Sequence, residues 1–315
     1  HAPVSGVRDV TDSANRNVAA SVRQRLLNHS RETGQEFQHV LTRYALERLL
    51  YRISQSPVRE SLILKGAMLF QVWSGQLHRP TRDLDLLGFG DPSHERFADV
   101  FRDICRLDVE PDGMEFDTDS VRVEDIREDV EYSGIRIRLR ATLAGARLEL
   151  QIDIGFGDAI TPDPVETNYP TLLEFPAPIV RAYPRETVVA EKLQAMVMLG
   201  IANSRMKDFY DVWTLSRLFD FRGESLTDAI AATFDRRQTA IPDGVPFALT
   251  DEFATDSAKQ TQWSAFVRKG RFDDCPTDLL EVVEPLREFL LPPLSALSAE
   301  TRFVRTWPAG GPWLD

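Results

Sequence analysis

Two aspartates, Asp83 and Asp85, stand two residues apart inside the run Asp83-Leu84-Asp85-Leu86-Leu87. An apolar run of this kind reads as a strand. Residues two apart on a strand face one side, so both carboxylates project together while Leu84 and Leu86 pack behind them. Adjacent carboxylates repel, and the common remedies are a divalent cation, a nearby arginine or a raised pKa. Hard oxygen donors suit Mg²⁺, which typically works with a nucleoside triphosphate (NTP) in the same site. Asp-x-Asp alone is a weak signal, because such segments also occur in surface turns and at solvated strand ends. A third carboxylate strengthens it. Leu148, Leu150, Ile152 and Ile154 alternate with Glu149, Gln151 and Asp153, which places Asp153 on the polar face of a second strand. Asp83, Asp85 and Asp153 are therefore the expected Mg²⁺ ligands. Two carboxylates on one strand and a third on a neighbour is the layout of two-metal phosphoryl transfer, with one ion at the attacking oxygen and the other at the triphosphate.

The elements that must position these groups follow from periodicity. Val18, Val22, Leu26 and Leu27, then Phe37, Val40, Leu41, Tyr44, Ala45 and Leu49, recur at helical spacing, which predicts two amphipathic helices parted at Gly34. Residues 62–65 read as a short strand and 67–73 as a helix opening after Gly66, where free backbone N–H groups would receive phosphate. Ile135, Ile137 and Leu139 alternate with Arg136, Arg138 and Arg140, and Ala144-Gly145-Ala146 is a turn, so 134–143 and 147–155 form a hairpin. The three arginines are either part of a basic site or an exposed hairpin face paired with residues such as Glu149. Residues 162–184 read as a proline-rich irregular connector and 186–199 as a helix. In the C-terminal third, 242–252 reads as a loop or extended segment, 259–269 as a helix, and 277–291 as a helix ended by Pro292-Pro293. The expected fold is α/β (α+β), a nucleotidyltransferase core with a small mixed sheet. N-terminal helices would span 1–58, the core 59–184, and a helical C-terminal domain 185–315.

The chain resembles the AbiEii/AbiGii group of nucleotidyltransferase toxins, which includes the mycobacterial MenT toxins and belongs to the DNA polymerase β-like superfamily. The resemblance rests on five ordered segments: Leu64-Lys65-Gly66-Ala67, Arg79-Pro-Thr-Arg-Asp-Leu-Asp-Leu86, Ile152-Asp-Ile-Gly-Phe-Gly-Asp158, Glu186-Thr-Val-Val-Ala-Glu-Lys-Leu193 and Arg205-Met-Lys-Asp-Phe-Tyr-Asp-Val212. It departs from the superfamily at Ala67, where Gly or Ser is frequent and where Ala offers no hydroxyl. The resemblance implies transfer of a nucleotide from an NTP to RNA, most often the 3′ acceptor end of tRNA, with translation blocked. It makes Asp83, Asp85, Lys192 and Asp208 the catalytic group. Lys65, Gly66, Thr81, Arg82, Lys192 and Asp211 become the nucleotide-binding group, with Lys192 at the triphosphate. It also implies a cognate antitoxin, either a winged-helix AbiEi-like protein or one that phosphorylates the toxin at the Thr81 position. From the residues alone, Lys192 also fits a surface lysine beside Glu191, and Asp208 and Asp211 fit a solvated face paired with Arg205 and Lys207. Two other functions share these motifs: a nucleotidyltransferase acting on a protein or small molecule, and a non-catalytic nucleotide- or protein-binding module.

Composition sets outer bounds. With 315 residues, 43% hydrophobic, the chain can build sizeable cores. A net charge of −12 argues against a general nucleic-acid coat, although basic residues gather around the proposed motifs while 99–131 is mostly acidic. The two cysteines, Cys105 and Cys275, lack metal-ligand spacing, and the histidines are scattered, so neither a zinc site nor a Ser-His-Asp triad is expected. No stretch approaches a membrane span and no signal peptide is visible. With only two cysteines and no disulfide framework implied, a reducing cytoplasm is expected.

Overall fold

A computed structural model describes residues 6–76, 78–126, 134–272 and 274–315. The end of the acidic 99–131 stretch lies outside them. The chain divides into two compact units, one of residues 1–157 and 166–182, the other of 158–165 and 183–315.

The first unit opens with two helices, α1 (Gly6–Thr33) and α2 (Phe37–Gln55). Next come β1 (Leu62–Lys65), a 3₁₀ turn over Gly66–Met68, α3 (Leu69–Ser74), β2 (Asp83–Gly88) and α4 (His94–Arg106). The strands β3 (Met114–Ile126), β4 (Gly134–Leu143), β5 (Ala146–Phe156), β6 (Val165–Asn168) and β7 (Ile179–Ala182) complete a seven-stranded mixed sheet in the order β3-β4-β5-β2-β1-β7-β6. The Ala144-Gly145 turn joins β4 to β5 with both residues at positive φ, the geometry that matches the twist of a two-residue hairpin. Leu84, Leu86, Ile135, Ile137, Leu139, Leu148, Leu150, Ile152 and Ile154 fill the buried face, each contributing about 1.5–3 kcal/mol of apolar burial. Their alternation leaves the acidic and basic residues on the opposite face.

The underside of α2 carries a buried polar network. Arg48 and Arg52 both donate to Asp112, Tyr44 Oη donates to the Asp112 carbonyl, and Glu47 accepts from the Leu172 N–H at 2.8 Å. Pairing of this kind lets charges survive burial.

The second unit is helical: α5 (Arg185–Leu199), α6 (Met206–Leu218), α7 (Gly223–Arg236), α8 (Asp251–Thr255), α9 (Ser257–Gly270) and α10 (Leu280–Ser298). A two-stranded ribbon, β8 (Phe221–Arg222) with β9 (Thr306–Trp307), accompanies them.

Two sequence expectations differ from the observed fold. Residues 162–184 are not wholly irregular, because β6 and β7 form within them and β7 pairs in parallel with β1. The helix that opens after Gly66 lies close to its expected bounds, as a 3₁₀ turn over Gly66–Met68 followed by α3 to Ser74. The last helix does not stop at Pro292-Pro293 but continues to Ser298. Proline removes a donor and crowds the preceding turn. Here the continued helix buries Phe289, Leu290, Pro293 and Leu294, and burial outweighs that cost.

Candidate active site

Strand register gathers the acidic residues of the first unit into a row. Asp83 opposes Gln151 and Asp85 opposes Asp153 across the parallel β2–β5 pair. On one side Lys65 opposes Asp85, and on the other Arg136 opposes Asp153, with Glu124 beyond it. Lys65, Asp85, Asp153, Arg136 and Glu124 thus run straight across five neighbouring strands. Pairing partners share a face, so all five project to the half-exposed side.

Within that row Asp153 is held by its neighbours. Arg136 donates from Nε to Oδ1 and from Nη2 to Oδ2, both at 2.8 Å, a two-pronged charge-assisted pair. Gln151 Nε2 donates to Oδ2 as well, at 3.2 Å. The bonds to Asp153 raise the Arg136 pKa above its ordinary value. The other two arginines of β4 turn away: Arg138 pairs with Glu124 and Arg140 with Asp117, both on β3. Their alternate reading as an ion-paired hairpin face is therefore the observed one, with β3 rather than Glu149 supplying the carboxylates. The oxygen donors of Asp83, Asp85 and Asp153 suit Mg²⁺ by their chemistry. Among the described residues no group of three or more His, Cys, Asp or Glu is arranged to hold a metal ion.

Gly66 lies directly against Asp85. A Cβ at this position would fall 2.6 Å from Asp85 Cγ, and the backbone holds φ +74°, a region that L side chains rarely adopt. Thr81 precedes the strand rather than extending it, and its hydroxyl donates to the Asp83 carbonyl at 3.2 Å. Arg82 is exposed and donates to His39 Nε2 at 3.2 Å, while His39 Nδ1 lies 3.7 Å from Glu36.

In the second unit, Lys192 on α5 reaches two carboxylates of α6, Asp208 Oδ1 at 2.6 Å and Asp211 Oδ2 at 2.9 Å. Arg205 Nε lies 2.9 Å from the other Asp208 oxygen. Asp208 and Asp211 are each 1% exposed, so the pair is not a solvated face, and Lys192 is not an ordinary surface lysine. A lysine facing two buried carboxylates neutralises only one of them, and Arg205 supplies the second positive charge. Phe209, Val212 and Trp213 are buried beside them, as expected of core residues. The sequence reading left Arg136 between a basic site and a hairpin face and did not single out Gln151; both bond Asp153.

Residues 48–285 match the family model described as nucleotidyl transferase AbiEii toxin, type IV TA system. The chain belongs to the AbiEii family. A type IV toxin–antitoxin family brings with it an antitoxin partner and a nucleotide substrate. The solved structures show likeness of fold. The chain is similar to a solved structure of a proposed nucleotidyltransferase from H. pylori, at 15% identity and a TM-score of 0.50, covering 85% of this chain and all of that one. The structure of JHP933 from Helicobacter pylori gives 14% identity and a TM-score of 0.48, over 84% and 98% of the two chains. No curated protein matches the sequence. No described helix of this AbiEii protein is long and apolar enough to cross a membrane.

Proposed function

We propose that this AbiEii protein is a Mg²⁺-dependent nucleotidyltransferase that moves NMP from an NTP to RNA, most directly the 3′ acceptor end of tRNA, with release of pyrophosphate. The observation that supports it is the register that sets Asp85 against Asp153, with Asp83 on the same face and Gly66 packed on Asp85. Asp83 and Asp85 would hold Mg²⁺, with Asp153 as the third carboxylate. The ion would neutralise phosphate charge and activate the acceptor hydroxyl. Lys65 stands opposite Asp85 in that row, and Thr81 and Arg82 precede it in sequence, which suits them to the nucleotide. Lys192, clamped by Asp208 and Asp211, is assigned to the triphosphate by resemblance to the MenT toxins, and so is tRNA as the acceptor. The antitoxin would be a winged-helix partner or a kinase-like one that modifies Thr81. Incubation with each α-labelled NTP, Mg²⁺ and total RNA tests the proposed transfer, and the label should appear in the tRNA fraction.

One observation favours a second acceptor class. Arg138 and Arg140 are neutralised by β3 carboxylates, and the whole chain carries −12, so little net positive surface is left on this hairpin for a polyanion. Label found in protein or small molecules would select that reading.

A further inference from the structure

We propose that Arg136 is a built-in counter-cation of the acidic row, a positioning residue that sets how far Asp153 is available to a divalent cation. The inference rests on the reading of Asp83, Asp85 and Asp153 as a cation site and assigns a residue that the sequence motifs leave out. Of the three alternating arginines on β4, Arg138 and Arg140 take their partners from β3, but Arg136 turns to β5. It does so although Glu124 is its own cross-strand partner, and Glu124 is left to Arg138. The consequence falls on one carboxylate. Both Asp153 oxygens receive a guanidinium bond at 2.8 Å, and Oδ2 takes a further one from Gln151.

Two effects follow from this geometry. Arg136 offsets the repulsion between Asp153 and Asp85, which face each other across the β2–β5 pair, and so keeps the row together. It also occupies the oxygens that a divalent cation would use, so cation and guanidinium compete for the same carboxylate. The ion pair is about one-fifth exposed on each side, open enough for exchange. Removing Arg136 should therefore raise cation affinity, the opposite of what damage to the fold would do.

The test is Mn²⁺ binding followed by electron paramagnetic resonance for the full chain and for Arg136→Gln, Asp153→Asn, Asp85→Asn and the double variant Arg136→Gln/Asp153→Asn. Arg136→Gln should bind Mn²⁺ at least about fivefold more tightly than the parent, since an adjacent unit charge ordinarily shifts a carboxylate by one to three log units. The gain should vanish in the double variant, because Asp153 carries it. Arg136→Lys, with one charge but no fork, should fall between and serves if the glutamine variant misfolds. An Arg136→Gln protein that binds no tighter than the parent, or a gain that survives in the double variant, overturns the inference. If the parent binds Mn²⁺ and Asp85→Asn abolishes it, the cation site stands whatever Arg136 does. If neither parent nor Arg136→Gln binds Mn²⁺, the cation reading falls and the inference with it.

Discussion

Gly66 and Asp85 occupy one volume: the space that a side chain at residue 66 would need is filled by the Asp85 carboxylate. The left-handed backbone at Gly66 and the carboxylate packed on it are two parts of one design. Gly66→Ala should therefore cost about 1–3 kcal/mol from strain and collision and displace Asp85. We expect nucleotide transfer to fall at least a hundredfold, on the order of a 1 Å misplacement of a reacting group. Urea unfolding and label transfer measured on the same preparation check both halves.

Lys192 makes a sharper case than a surface lysine would. Lys192→Ala leaves Asp208 and Asp211 buried without their shared ammonium, and breaking a buried pair of this kind costs about 3–5 kcal/mol. Adding Asp211→Asn should recover much of the unfolding midpoint. If Lys192 also serves the triphosphate, the double variant regains stability and stays inactive. Recovery of transfer together with stability would reduce Lys192 to a helix bolt.

Glu47 gives the chain a pH signature away from the acidic row. Burial pushes its carboxyl up to about 7, against the Leu172 N–H and Arg48, which pull it down. A carboxyl raised on folding takes up a proton. Its stabilising contribution is full below about pH 4.5 and is lost as pH rises through about 7. Glu47→Gln keeps an acceptor for the Leu172 N–H and removes the charge. The variant should match the parent near pH 4.5 and exceed it by about 1–3 kcal/mol near pH 8. Chemical denaturation at the two pH values reads the difference.

Much of the first unit is legible in the sequence. The alternation in β4 and β5 placed the hairpin and turn, and the Asp-Leu-Asp run placed β2, because period-two burial writes itself directly into residue types. Arg136 could have been found the same way. Counting seven residues outward on each side of the Leu143–Ala146 pair puts Arg136 opposite Asp153. What stayed hidden depends on partners distant in sequence. Strands β6 and β7 are four residues each and proline-flanked, so only pairing across the sheet defines them. Burial of Asp208 and Asp211 depends on the helices packed against α6 and on Lys192 of α5, and nothing local in α6 distinguishes them from a solvated face.

Thr81 sits half-exposed just before β2 with its hydroxyl on the Asp83 carbonyl. A phosphate there would add close to two negative charges beside Asp83. We expect phospho-Thr81, and less completely Thr81→Glu, to block NTP use. Thr81→Val should stay active, losing about 0.5–1.5 kcal/mol with the hydroxyl bond. Mass spectrometry of the protein co-expressed with its antitoxin checks the regulatory half, and full neutralisation with Thr81 unmodified would contradict it.

The central claim is that the carboxylate row does the chemistry of nucleotide transfer to RNA. The most direct measurement is transfer of α-label from NTP to total RNA by the parent, Asp83→Asn and Asp85→Asn, with and without Mg²⁺, alongside urea midpoints. The account predicts labelled tRNA only with the parent and Mg²⁺. It also predicts at least about a hundredfold loss in each variant with the fold intact, as expected when a cation ligand is removed. Unchanged transfer by both variants, or label that never enters RNA, would contradict it.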